Sequence, residues 1–242
     1  MWHIYIKEIN SFFNSLVAYI VMAIFLVSMG LIVWVFPESN VLTYGYAEMS
    51  AFFYYAPYIL MFMVPAINMR MFAEEQKAGT LELLYTSPLK VTDIVIGKYL
   101  AGFTLMALTI LPTIIYYYSI YQLGDPIGNI DTARVIGSYI GLLLLGAVFT
   151  GFGVLTSSFT DNQIVAFILA VFFSFFFHTG LSSIANINVW SDLSLFIEFL
   201  SLSYHYDSLS RGLIDSRDVI YLVSLIILSI YSTTHILERS KS

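Results

Sequence analysis

Long apolar stretches separated by short polar ones recur along the whole chain. A helix needs roughly 20 apolar residues to cross a ~30 Å hydrocarbon core, because every backbone polar group must be paired inside the segment. Six stretches meet that length: Leu16 to Phe36, Ala51 to Met71, Val95 to Tyr121, Val135 to Thr156, Ile164 to Ala185 and Val219 to Ile236. Two further segments are apolar in another way. Trp2, Ile6, Ile9, Phe12 and Phe13 recur at helical spacing with Lys7, Asn10 and Asn14 on other faces. That pattern predicts either a helix lying in the membrane interface or an extension of the first span. Between the fifth and sixth spans, Asn186 to Arg217 contains Leu193, Leu195, Phe196, Ile197, Phe199, Leu200 and Leu202, too apolar for an exposed loop and too few to cross. A re-entrant or interfacial outer hairpin follows, with its backbone shielded by protein. The fold class is an all-α integral membrane protein. No repeat or low-complexity linker divides it, which predicts one membrane domain over residues 1–242.

Composition agrees with the pattern. Of 242 residues, 59% are hydrophobic and 11% charged, with a mean hydropathy of +0.82, far from a soluble domain. The net charge of -6 matters less than where the charges lie, which is in the connecting segments and near the two ends. Lys7, Arg70, Lys77, Lys90, Lys98, Arg239 and Lys241 fall on one side of the predicted spans, and Arg134, Arg211 and Arg217 on the other. Lys and Arg resist translocation, so the first side is expected to be cytoplasmic, with both termini inside and a multi-pass place in the cytoplasmic (inner) membrane. The N-terminal segment lacks the pattern of a cleavable signal peptide, so the first span is expected to remain.

Punctuation within the spans comes next. Pro57, Pro65 and Pro112 each remove a backbone donor and are expected to bend their helices. In the fourth stretch, Gly137 and Gly141, and then Ala147 and Gly151, are spaced for close approach of another helix. Packing within one subunit is the simpler use of them. The connector between the second and third stretches, Phe72 to Lys98, holds Glu74, Glu75 and Lys77, then Gly79, then Leu81, Leu84 and Tyr85 at amphipathic spacing beside Thr80, Glu82 and Thr86. A short helix ended by Ser87 and Pro88 is predicted, and Thr92 and Asp93 offer an N-cap for the third span.

The connector carries a resemblance. Glu74, Gly79, Thr80, Glu82, Leu84, Ser87 and Pro88, followed by Asp93 and Gly97-Lys98, resemble the cytoplasmic connector of ABC-2 type permeases. The resemblance implies that this segment, Leu81 and Tyr85 included, holds a coupling helix that seats in a groove of a P-loop ABC ATPase and passes nucleotide-driven motion to the spans. It also implies an N-terminal interface helix, six spans and a partly buried outer segment before the sixth. Tyr204-His205-Tyr206 and the run from Arg211 to Tyr221 (RGLIDSRDVIY) resemble the gliding-motility permeases of the Bacteroidetes, the GldF family. That implies a complex with a GldA-like ATPase and a GldG-like second membrane component, or a self-copy, in the lipid bilayer. The chain departs from larger relatives in lacking a sizeable outer domain.

Other chemistry has little footing. No G-x-x-x-x-G-K-[ST] is present, so ATP hydrolysis is expected in a separate subunit. Four histidines are scattered and cysteine is absent, which argues against metal and thiol chemistry and predicts no cofactor. Ten Lys and Arg without a basic patch leave nucleic-acid binding without an electrostatic footprint. Ser174 and His178 share a face of the fifth span, yet no orienting third group accompanies them, so a hydrogen-bonded, packed His is the simpler reading. Asp125, Asp131 and Asp161 read as solvated turn residues. Three functions stay open: a transport permease, a non-transporting membrane anchor that transmits force from an ATPase to envelope machinery, and an intramembrane enzyme at His178.

Overall fold

The computed structural model describes residues 1–82, 89–187 and 193–241. The regular structure among those residues is all helical, with no strand, and includes six helices long and apolar enough to span a membrane. Span 1 is Leu16–Trp34, span 2 Ser50–Asn68, span 4 Thr132–Ser157 and span 6 Ser216–Lys241. Span 3 runs Val91–Ile110 and Ile114–Leu123, joined by a 3-10 turn at Leu111–Thr113, and span 5 runs Gln163–Phe175 and Leu181–Ala185 through a π turn at Phe176–Gly180.

Spans 2, 3 and 4 form the interior, with 56%, 61% and 72% of their apolar windows buried, against 22% in each of spans 1, 5 and 6. The outer three therefore present broad apolar faces, as expected where lipid replaces water. Phe52, Leu60, Val64, Leu105, Met106, Leu145 and Phe149 are among the side chains at the centre.

The three prolines behave differently. Pro112 is the middle residue of the 3-10 turn in span 3, whereas Pro57 and Pro65 sit inside one continuous helix. A proline leaves the carbonyl four residues before it without its usual donor. For Pro57 that carbonyl belongs to Phe53, and the buried Tyr206 hydroxyl donates to it at 2.7 Å. A side chain 153 positions away thus supplies the missing donor.

The N-terminal helix, Trp2–Phe13, is separate from span 1. Asn14 ends it, and Ser15 adopts an extended backbone and caps span 1 by accepting from Val17 N–H at 3.2 Å. Arg70 holds the corner, donating to Ser15 Oγ at 3.2 Å and lying 4.4 Å over the Phe12 ring. The helix buries Ile4, Glu8 and Phe12 and exposes Trp2 and Ile6. Its apolar side therefore divides between protein and surroundings, and Phe12 faces protein.

The segment expected to lie outside holds, among its described residues, two short helices, Ser194–Phe199 and Leu202–Ser210. The first buries no residue and exposes Leu195, Phe196 and Phe199, while the second buries Leu202, His205, Tyr206 and Leu209 and packs against spans 4 and 6.

Candidate functional site

The connector leaves span 2 through a short helix, Ala73–Lys77. Gly79 ends it with φ of +66°, a conformation open to glycine because it lacks Cβ. Gly79 N–H bonds Gln76 O at 3.1 Å and Thr80 N–H bonds Glu75 O at 3.0 Å, the paired bonds of a Schellman turn. Leu81 and Glu82 then resume helical conformation, with Leu81 buried. Leu84, Tyr85, Ser87 and Pro88 lie outside the described residues. Gln76 Nε2 donates to Ser158 O at 3.0 Å, tying the connector to the end of span 4. Span 3 begins at Val91 with Lys90 at the cap and no side-chain capping bond. Thr92 and Asp93 thus fall inside the first turn, so they do not cap it. The Asp93 carboxylate instead complements the positive end of the helix.

Lys98 overturns the expectation that charge stays in the connecting segments. It lies in the second turn of span 3 and is 1% exposed. An ammonium has three donors and cannot be buried cheaply without partners. Its Nζ lies 2.9 Å from Glu8 Oε1, 2.6 Å from Met71 O and 3.0 Å from Glu75 Oε2. The Glu75 Oε2 contact is an ion pair lying off the hydrogen-bond directions. Glu75 Oε1 in turn accepts from Lys7 Nζ at 3.0 Å, and Lys7 lies 3.7 Å from Glu8. Four charges of alternating sign therefore close a ring across the N-terminal helix, the connector and span 3. Burial opposes the Lys7 charge, but Glu75 and Glu8 outweigh it and lift its ammonium above the ordinary 10.5. Glu74, which belongs to the connector motif, is exposed, and it is its neighbour Glu75 that enters the ring.

Gly97 makes the approach possible. A Cβ there would stand 3.0 Å from Met1 O and 3.1 Å from Ile4 Cβ. The Gly97-Lys98 pair thus supplies close contact and charge at adjacent positions.

The small residues of span 4 serve different partners along its length. A Cβ on Gly137 would lie 2.7 Å from Leu209 O, and one on Gly141 3.1 Å from Leu209 Cβ, both on the outer helix. Ala147 O accepts from Tyr99 of span 3 at 3.2 Å, and a Cβ on Gly151 would lie 3.0 Å from Ser229 Cβ of span 6.

At the opposite end from the connector, a cavity of about 480 Å³ is lined by Tyr54, Tyr58, His178, Ser203, Tyr206 and Asp207 among others, within the usual range for a small-molecule site. His178 is buried at the π turn, with Nδ1 3.2 Å from Thr179 Oγ1 and no partner at Nε2. The expected packed, hydrogen-bonded His is therefore bonded on one nitrogen only. Ser174 is fully buried and its Oγ has no partner either, so the two do not form a nucleophile and base pair. Burial raises the Asp207 carboxyl, with Arg211 opposing.

Beside the cavity, His205 Nε2 lies 2.8 Å from Phe199 O and Nδ1 2.7 Å from Asp218 Oδ1. A carbonyl only accepts, so Nε2 is the donor to Phe199 O. The Tyr221 ring stacks on the imidazole at 4.1 Å, and its hydroxyl donates to Leu200 O at 2.6 Å. Sequence reasoning missed this lock between outer helix and span 6. Its only trace there is the Tyr204-His205-Tyr206 and Asp218 pattern noted for its resemblance. Among the described residues, no group of three or more His, Cys, Asp or Glu is placed to hold a metal ion.

Residues 58–236 match the family model described as ABC-2 family transporter protein. No curated protein matches the chain.

Proposed function

The chain belongs to the ABC-2 family of transporter membrane proteins, and we propose that it is a permease subunit driven through its connector by a separate ABC ATPase. Membership makes it a multi-pass membrane component rather than the ATPase, and implies partnership with one. In this reading the docking segment comprises Glu74, Gly79, Thr80, Leu81, Glu82, Leu84, Tyr85, Ser87 and Pro88, with the buried Leu81 seating it on the protein rather than meeting the partner, on a single membrane domain of residues 1–242. Both termini and the connector lie on the cytoplasmic side of the inner membrane, and a second permease, identical or different, completes the complex.

The observation that supports this most is the construction of the connector. It is anchored by the charge ring and by Gln76, then turned sharply at Gly79. A surface loop without a partner needs neither. The finer assignment to a gliding-motility complex, with GldA-like and GldG-like partners, rests on the RGLIDSRDVIY run.

The cavity lined by Tyr54, Tyr58 and His178 is a place for a transported molecule to occupy in the transport reading. The non-transporting anchor uses the same connector and leaves that cavity idle. Purification of the tagged chain in mild detergent, with protein identification and an ATPase assay, tests the proposal. A P-loop ATPase recovered with wild type and lost with Leu84→Asp is expected. Equal recovery and activity with Leu84→Asp would refute the docking surface.

A further inference from the structure

We propose that the ring of Lys7, Glu8, Glu75 and Lys98 makes the N-terminal helix a working part of the coupling device, with Lys98 as its positioning residue. This rests on the docking role proposed for the connector. Residues 1–57 lie outside the family match, so nothing there assigns a role to Lys7 or Glu8.

The argument begins with Glu75, which is held at both of its ends. Its carboxylate bridges Lys7 and Lys98, at 3.0 Å each, while its carbonyl accepts from Thr80 N–H at 3.0 Å in the turn that launches the segment beyond Gly79. Any displacement of that segment is therefore transmitted through one residue to both lysines. Lys98 passes it to span 3, and Glu8, 2.9 Å from Lys98, passes it to the N-terminal helix. Opening the ring at either of its Lys98 contacts would leave a lysine that is 1% exposed short of a counter-charge. In a low-dielectric setting such separation is strongly opposed, so the elements move together or not at all.

The N-terminal helix is seated to follow. Met1 and Ile4 press on Gly97, and Tyr5 Oη lies 3.2 Å from Thr104 Oγ1 about two turns further along span 3. At its other end, Arg70 joins the helix corner to the foot of span 2 through Ser15 and Phe12. Force arriving at the connector thus reaches spans 1, 2 and 3 as one body. Without the ring it would enter through the flanking backbone of spans 2 and 3 and the Gln76 bond to the end of span 4, and the N-terminal helix would be bypassed.

The test uses the full complex with its ATPase in proteoliposomes. The chain has no cysteine, so Ile127→Cys, in an exposed loop far from the ring, carries an environment-sensitive fluorophore. Its response to ATP with vanadate is compared in wild type, Glu8→Gln, Lys7→Gln and Lys98→Met. Glu8→Gln keeps the shape of the side chain and leaves Lys98 with Glu75 and Met71 O. We expect Glu8→Gln and Lys98→Met to bind the ATPase and hydrolyse ATP, with the fluorescence response reduced at least fivefold, and Lys7→Gln to show a smaller loss. A wild-type response in Glu8→Gln would overturn the proposal, leaving the ring a purely stabilising feature. A loss confined to Lys98→Met would also overturn it, because the N-terminal helix would then be dispensable. If wild type itself recruits no ATPase, the docking reading fails and the proposal falls with it, an outcome distinct from either.

Discussion

Replacing Gly102 by alanine places a methyl group against the side-chain oxygen of Asn68 and 2.9 Å from Met71 Cε. Asn68 is fully buried where spans 2, 3 and 4 meet, and on its other side a Cβ at Gly153 would stand 2.7 Å from Asn68 Cβ. The amide therefore occupies a slot that two glycines leave open. Its Nδ2 donates to Val64 O at 2.9 Å, while its Oδ1 has no partner, so it has one bond and little room to yield. Overpacking of this kind costs about 1–3 kcal/mol. Asn68→Ala is expected to be mild, since it removes an unpaired buried oxygen together with one neutral bond worth about 1 kcal/mol net. The Gly102→Ala methyl then enters vacated space, so the double variant is expected to resemble Asn68→Ala, with a coupling energy of about 1–2 kcal/mol. Reversible unfolding in detergent and SDS mixtures, read by intrinsic fluorescence, measures the cycle. Additive single and double variants would refute the slot.

Other sites give independent outcomes. Tyr206→Phe deprives the Phe53 carbonyl of its substitute donor and is expected to lower stability by about 1–3 kcal/mol, whereas Pro57→Ala with Tyr206→Phe restores a backbone donor and recovers part of the loss. His205→Ala strands Asp218 in a buried position and is expected to cost about 3 kcal/mol or more, seen as faster proteolysis of the outer segment. Gly137→Val drives its side chain into Leu209 O and Gly212 Cα and is expected to release the same segment, while Ile136→Val, on an exposed position, leaves it protected. Because burial raises Asp207, its protonation favours the folded state. That gain is complete below its ordinary pKa of 3.8 and disappears as pH rises through the folded value. Asp207→Asn is therefore expected to be at least as stable as wild type at pH 7 and to flatten the acid limb of a Tm against pH curve.

How much of this was legible in the sequence depended on the range of the interaction. Membrane spans are set by local composition over about 20 residues, and all six lie where the apolar stretches predict. The turn at Gly79 is likewise local. Lys98 was visible as part of a Gly-Lys pair, but its burial was not, because hydropathy averages over a window and one lysine among Ile94, Val95, Tyr99 and Leu100 barely lowers it. Its partners stand 23 and 90 positions away, and only folding brings them within 3.0 Å. Likewise, the spacing of Gly137 and Gly141 announced a close approach without naming the outer helix as the visitor. Pro57 predicted an orphaned carbonyl, yet nothing near it pointed to Tyr206. The pairing of His205 with Asp218 depends on the turn between the outer helix and span 6, which no periodicity describes.

The central claim is that a separate ATPase drives this membrane domain through the connector, and recruitment of that ATPase tests it most directly. The tagged chain, purified gently and assayed for ATP hydrolysis beside Leu84→Asp, is expected to carry a P-loop ATPase whose association or activity collapses in the variant while membrane insertion is unchanged. An ATPase recovered equally with both chains, or none recovered from membranes that preserve other complexes, would contradict the account.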